Sequence, residues 1–136
     1  MIHLRAFAAA ALGFTVLSTT AELRAESCNP PRILFVLDSS TSMLAQIDDA
    51  GTPTTKWKAL QAAAAEVFKT YPDAAQYGLM TFPGPAGQCS TGTVTVPVGP
   101  GTAATIQTTI TNLAIPPNNQ TPAGQSLVAA SQYAGI

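Results

Sequence analysis

A carboxylate and two hydroxyls, those of Asp38, Ser40 and Ser42, recur at every second position just after an apolar stretch of the chain. On a tight loop this spacing can aim the three side-chain oxygens at one point, and such oxygens are the ligands that a hard cation such as Mg²⁺ prefers. The sequence leaves open that Ser40 and Ser42 instead cap a following helix. The metal site is favoured because Asp38 directly ends a predicted buried strand.

The apolar stretch before Asp38 predicts the strand that positions these side chains. Residues 33–37 have no polar alternation, which is typical of a strand buried on both faces in a parallel sheet covered by helices. In open α/β sheets, ligands bind just beyond the carboxyl ends of the strands. The polar run 38–42 lies at that place, so the sequence predicts an α/β fold with a binding site there.

The other elements are predicted from apolar periodicity and from turn residues. After a first strand at 32–37, they are a helical turn at 43–47, a turn at 48–55, a helix at 56–71, a strand at 75–82, a strand at 91–98, a helix at 102–112 and a helix from 122 towards 133. Asp48 and Asp49 lie in the predicted turn. For this pair a solvated turn is favoured over a role as further metal ligands.

Two further patterns predict which face of the long helix is buried and which strand lies at the edge of the sheet. The helix 56–71 carries one apolar stripe at spacings of three and four residues. The stripe consists of Trp57, Leu60, Ala64, Val67, Phe68 and Tyr71. Pro97 confines the strand 91–98 to a sheet edge, because proline cannot donate a hydrogen bond to a neighbouring strand. The short loop before that strand predicts an antiparallel hairpin with the strand 75–82.

The N-terminal part of the chain has the pattern of a secretion signal. A short basic region precedes an apolar, alanine-rich stretch at 6–20, and Ala21 and Ala25 suit cleavage. We therefore expect a signal peptide at 1–25, a mature domain at 26–136 without a membrane span, and a secreted, periplasmic or cell-surface protein. The alternative is an uncleaved N-terminal anchor, although the apolar stretch is short for a span of about 20 residues.

Composition excludes several classes of function. The six basic and seven acidic residues are not clustered as a nucleic-acid-binding surface requires. The one histidine, His3, lies in the predicted signal peptide, so the mature domain lacks the base of a Ser–His pair and the usual zinc ligands. Cys28 and Cys89 are expected to form a disulfide in an exported chain. The alternatives are free thiols or pairing with cysteines outside this sequence.

The segment around Thr121 completes a family pattern. Thr121 followed by Pro122 is typical of a helix N-cap and a first helical residue. Together with Asp-x-Ser-x-Ser after a buried strand, it resembles the metal-ion-dependent adhesion site (MIDAS) of von Willebrand factor type A domains. In that family a Thr at this position joins the metal site. Asn119 and Gln120 stand where members usually have Gly-Gly, and asparagine can also adopt the left-handed backbone.

The resemblance covers the chain from Arg32 to its C terminus and implies the three-layer, Rossmann-like α/β sandwich of that family. The predicted elements match its first three strands and their helices, so we expect a truncated domain. The resemblance further implies that Ser40, Ser42 and, in some members, Thr121 hold Mg²⁺ or Mn²⁺, with Asp38 acting largely through water. An Asp or Glu of a partner protein then completes the coordination, without catalysis.

The sequence leaves two other functions open. Many members of the family bind partners without an ion, so the chain could be an interaction or structural module of that kind. A phosphohydrolase that forms an aspartyl-phosphate on Asp38 is less favoured. Such enzymes need a second Asp two residues further on, where this chain has Ser40, and a nearby basic residue to hold the phosphate.

Overall fold

The computed structural model describes residues 29–86 and 88–136. Within these ranges the chain forms five strands, a short 3₁₀ helix at Thr41–Leu44 and three α-helices. In chain order the strands and α-helices are β1 (Arg32–Asp38), β2 (Gln46–Asp49), β3 (Thr52–Thr55), α1 (Lys56–Thr70), β4 (Gln76–Phe82), β5 (Thr93–Gly99), α2 (Ala103–Asn112) and α3 (Ala123–Ser131).

The predictions about the N terminus fall outside the described residues. These are the signal peptide at 1–25 and the disulfide, whose first member is Cys28. The expected location of the protein depends on the signal peptide, and both the location and the disulfide stay predictions. In the part of the chain that the structure does describe, no helix combines the length and the apolar character that crossing a membrane requires.

The main sheet is mixed and has the strand order β1-β4-β5. β1 pairs in parallel with β4, from Arg32 opposite Gln76 to Asp38 opposite Phe82, and β5 runs antiparallel to β4. The long crossover between the two parallel strands contains α1, as a parallel pair requires. The predicted α/β fold and the predicted antiparallel pairing of the last two strands are confirmed.

The central strand β4, and not β1, has both faces buried. Six of the seven β4 residues are buried, whereas β1 is partly exposed along its length and Ile33 is 40% exposed. β1 borders the described part of the sheet and pairs there along one edge only. The prediction of a doubly buried first strand is therefore wrong for the described residues. An apolar run shows that the residues of a strand are apolar, but it does not show how many other strands pair with that strand.

The hydrophobic core joins α1 and α2 to the sheet. Its buried members are Trp57, Phe68, Ala75, Tyr77, Leu79, Val96, Ala103, Ile106 and Ile110. The rings of Phe35, Phe68 and Tyr77 have centroid distances of 5.1, 5.4 and 5.8 Å, which is the range of favourable aromatic contacts. Helix α3 contacts β1 and β4, while its Leu127 and Val128 are exposed.

The predicted apolar stripe of α1 is correct for four of its six residues. Trp57 and Phe68 are buried, and Leu60 and Ala64 pack against the core. Tyr71 is 58% exposed because the helix ends at Thr70 and Tyr71 leaves the helical backbone, with φ −128° and ψ 52°. Val67 also lies among the exposed apolar side chains.

The predicted turn at 48–55 is a β-hairpin of β2 and β3. Its two central residues, Ala50 and Gly51, have φ of 49° and 83°, as a type I′ hairpin turn requires. The Asp48 carboxylate accepts a hydrogen bond of 2.7 Å from the Gly51 N–H, so this side chain serves the turn. The strands were missed because their residues show little apolar alternation.

Replacing Ala50 by Asn is expected to stabilise the protein. Alanine in the left-handed region costs roughly 1–2 kcal/mol, and Asn-Gly is the preferred type I′ pair. We expect a gain of about 1 kcal/mol in the free energy of unfolding, measured by urea titration. The control is Ala63→Asn in the exposed middle of α1, where the lower helix propensity of asparagine should destabilise. Equal effects of the two substitutions would contradict the prediction.

Candidate functional site

The end of β1 is fixed to the end of β4 by Ser39. The Ser39 N–H and the Ser39 hydroxyl both donate to the carbonyl oxygen of Phe82, at 2.7 and 2.9 Å. Because β1 and β4 are parallel, their carboxyl ends meet at the same edge of the sheet. The loop that follows Asp38 therefore begins from a defined position beside β4.

Three of the four predicted metal ligands place their hydroxyls in direct contact. The Ser40 and Ser42 hydroxyl oxygens are 2.9 Å apart, and the Thr121 hydroxyl donates to Ser40 at 3.0 Å. Ser40 is fully buried, whereas Ser42 and Thr121 are exposed. The cluster thus has a buried centre and an open side, although Thr121 lies 81 residues from Ser40 in the sequence.

Asp38 joins this cluster through the backbone. Its Oδ1 accepts a hydrogen bond of 2.7 Å from the Ser40 N–H, which curls the loop so that Ser40 lies beside the carboxylate. The structure therefore brings Asp38, Ser40, Ser42 and Thr121 together. Their role as metal ligands stays a prediction.

The hydroxyls of Ser40 and Thr121 do not cap helices. Ser40 precedes the 3₁₀ helix without a side-chain cap, and α3 has Pro122 and not Thr121 at its N-cap position, also without one. The prediction of a Thr121 cap is wrong because that hydroxyl is directed to Ser40, while the Thr121 carbonyl accepts from the Ala123 N–H at 2.8 Å. The hydroxyls are thus available for a role other than capping.

The segment before Thr121 takes the left-handed conformation one residue earlier than the family comparison suggested. Asn118 has a φ of 64°, which asparagine tolerates better than most residues. The next residue, Asn119, exchanges hydrogen bonds with Thr41. Gln120 donates its N–H to Gln88 at 2.9 Å and accepts at Oε1 from the Cys89 thiol at 2.9 Å. Thr121 is therefore approached through a segment that is held from two sides.

No sequence pattern singled out Ser126, which holds the start of α3. It is fully buried, its hydroxyl donates to the Pro122 carbonyl at 2.8 Å, and its oxygen accepts from the Gly92 N–H at 2.9 Å. The first turn of α3, and with it Thr121, is therefore tied to the residue before β5. The spacing of Ser126 and Ala130 indicates a shared buried helix face, but it does not identify the distant partner Gly92.

A cleft of about 400 Å³ is lined by Ser39, the residue before Ser40, but by none of the four predicted metal ligands. Ser39 and Asn119 border it, and its other walls come from the ends of β4 and β5 and from the segment after α2. No charged side chain is among the described residues that line it. A ligand in this cleft would lie against an uncharged surface.

The chemistry of the cluster is that of hard oxygen donors with little charge. It offers one carboxylate and three neutral hydroxyls. Among residues 29–86 and 88–136, no three His, Cys, Asp or Glu side chains converge as a conventional metal cluster would. Hydroxyl and carboxylate oxygens fit Mg²⁺ or Mn²⁺ in preference to softer metals. A divalent cation here would keep a net positive charge.

Comparisons with known proteins identify the fold. A family model for the von Willebrand factor type A domain matches residues 33–135. Among solved structures, an uncharacterized membrane spanning protein from Vibrio fischeri is similar, with a TM-score of 0.61 and 17% sequence identity. The match covers 73% of this chain and 46% of that one, so this chain spans less than half the length of that structure. Such low identity supports a common fold alone. No curated protein matches this chain.

Proposed function

The chain belongs to the von Willebrand factor type A domain family, whose members are generally interaction modules, and from this premise we propose that it binds a partner protein through a shared divalent cation. The proposed ion is Mg²⁺ or Mn²⁺. The proposed ligands form a MIDAS and are Asp38, Ser40, Ser42 and Thr121. The proposed partner presents an Asp or Glu side chain.

The spacing of the hydroxyl oxygens is the observation that most supports this proposal. An octahedral Mg²⁺ with ligand oxygens at about 2.1 Å places neighbouring ligands about 3.0 Å apart. The distances from Ser40 to Ser42 and to Thr121 are 2.9 and 3.0 Å. An entering ion could therefore replace the two hydrogen bonds with little movement of the oxygens.

The low charge of the ligand set supports a role in binding a partner. With one carboxylate among the proposed ligands, a divalent ion retains net positive charge and attracts another anionic oxygen. A carboxylate from a second protein provides that oxygen and fills an open coordination position. The reaction is then exchange of a water ligand for a carboxylate, and no covalent step is involved. We accordingly propose a module without catalytic activity.

Export is part of the proposal because the N-terminal sequence has the pattern of a secretion signal. Mature chains would act in the periplasm, at the cell surface or outside the cell. The family's three-layer sandwich is proposed for the whole domain. The described residues contribute a mixed sheet and three helices to it.

Ion uptake is the first test of this function. Isothermal titration of the protein with MnCl₂ and MgCl₂ is expected to show binding that EDTA reverses. Ser42→Ala should weaken it by at least about tenfold, since even the loss of an outer-shell partner costs about 10–100-fold in metal affinity. The control is Ser131→Ala, which removes an exposed hydroxyl bonded within α3. Absence of uptake by the wild-type protein would refute the proposal.

Ion sharing is tested on the manganese-loaded protein with short synthetic peptides. Water-proton relaxation reports water bound to Mn²⁺, so Gly-Asp-Gly should lower the relaxation enhancement by displacing that water. Gly-Asn-Gly, which has the same size and no charge on its side chain, should leave it unchanged. Equal behaviour of the two peptides would mean that the ion, if bound, does not select carboxylates.

A further inference from the structure

We infer that Thr41 is a positioning residue that sets the distance between the two loops of the ion site. The first loop, residues 38–45, carries three of the proposed ligands. The second, residues 113–121, carries Thr121. This inference rests on the proposed function, because it assigns to Thr41 a role in ion affinity without making it a ligand.

The Thr41 hydroxyl uses both of its hydrogen-bonding roles across the gap between the loops. It accepts from the Asn119 N–H at 2.7 Å and donates to the Pro116 carbonyl at 3.2 Å. The Thr41 N–H also donates to the Asn119 carbonyl, at 3.3 Å. Thr41 is therefore bonded to the second loop at two residues, 75 and 78 positions away in the sequence.

These contacts form most of the polar connection between the loops. The structure describes four hydrogen bonds between them, of which three involve Thr41 and the fourth joins Thr121 to Ser40. Ion binding through the hydroxyls of Ser40 and Thr121 would replace that fourth bond. The Thr41 contacts would then be the hydrogen bonds that keep the loops at the distance that the ion requires.

The backbone around Asn119 favours this arrangement. Asn118 adopts a left-handed backbone conformation, with a φ of 64°. It directly precedes Asn119, whose N–H donates a hydrogen bond to the Thr41 hydroxyl. Thr41 is itself half-buried and lies between Ser40 and Ser42. A shift of Thr41 relative to the second loop would therefore move the flanking ligands Ser40 and Ser42 relative to Thr121.

The test compares Thr41→Val, which keeps the shape and removes the hydroxyl, with Thr41→Ser, which keeps the hydroxyl. We expect Thr41→Val to weaken Mn²⁺ binding by about ten- to a hundredfold, as for other outer-shell partners, and Thr41→Ser to bind within about threefold of wild type. The control is Thr109→Val, which removes a hydroxyl bonded to Thr105 within α2 and should leave affinity unchanged. Circular dichroism checks that each variant is folded.

The outcomes separate this inference from the proposed function. Wild-type affinity in a folded Thr41→Val protein would overturn the positioning role and leave the ion site intact. No Mn²⁺ uptake by the wild type would overturn both. If Thr41→Val does not fold, hydrogen exchange of the Asn119 amide is measured instead. The inference is supported if this amide exchanges slowly in the wild type and in Thr41→Ser, and more slowly still when Mn²⁺ is added. Fast exchange of that amide in the wild type would overturn it.

Discussion

Replacing Asp38 by Asn is expected to abolish measurable binding of Mg²⁺ and of any carboxylate partner that depends on it. Asp38 is the one charged group among the proposed ligands. At about 4 Å and an effective dielectric constant of about 20, the attraction between two unit charges is about 4 kcal/mol, which corresponds to roughly a thousandfold in affinity. A divalent ion doubles this Coulomb attraction, and the desolvation of the ion and of the carboxylate offsets part of it.

The choice of Asn separates the charge of Asp38 from its structural role. Oδ1 of Asp38 accepts the Ser40 N–H at 2.7 Å, and the amide oxygen of an Asn can still accept that bond. Asp38→Ala removes both the charge and the hydrogen bond, so it should also lower the melting temperature. Asp73→Asn, in the exposed turn after α1, is the matched control. Manganese titration of Asp38→Asn at wild-type affinity would remove the main electrostatic argument for the site.

Replacing Leu79 by Ala is expected to cause the largest loss of stability. Leu79 is 0% exposed, lies in the middle of the central strand β4 and belongs to the core cluster of α1 and α2. Substitution of such a leucine by alanine typically costs about 2–5 kcal/mol, because it removes buried apolar surface and leaves a cavity. That is a large part of the 5–15 kcal/mol typical of a whole domain.

The fluorescence of Trp57, the one tryptophan of the sequence, measures this loss during urea titration because Trp57 is buried in the same cluster. Leu127→Ala is the matched control, since it makes the same chemical change on a side chain that is 59% exposed. We expect that control to change stability by about 0.5 kcal/mol or less. Comparable losses for the two variants would show that the core is not where the structure places it.

The elements with strong local patterns were predictable from sequence. The apolar run before Asp38 identified β1, the three-four spacing from Trp57 to Phe68 identified α1, and Pro97 identified β5 as an edge strand. Each of these signals is contained in the element itself. The β2–β3 hairpin was missed because its polar residues are stabilised by a turn at Ala50 and Gly51 that has little apolar pattern around it.

The candidate site was predictable in its residue types and not in its connections. The two-residue spacing from Asp38 to Ser42 points to a converging loop, and Thr121 was added through the family resemblance. The capping role of Thr121 was the natural local interpretation, and it failed because a partner 81 positions away takes its hydroxyl. The contacts of Thr41 and Ser126 could not be predicted for the same reason. Each contact joins segments that are distant in the sequence, and the periodicity of apolar residues carries no information about such pairs.

The parallel pairing of β1 with β4 has a consequence for the timing of ion uptake. Arg32 and Gln76, the first pair of the ladder, meet only after the chain between them has closed a large loop, and such non-local pairing is slow in folding. An unfolded chain therefore has no preformed cavity for a cation, and an ion that binds the native form alone adds its binding free energy to folding. At a free ion concentration 100 times the dissociation constant, this linkage amounts to about 2.7 kcal/mol. Divalent ions would thus favour completed molecules over chains that have not yet folded.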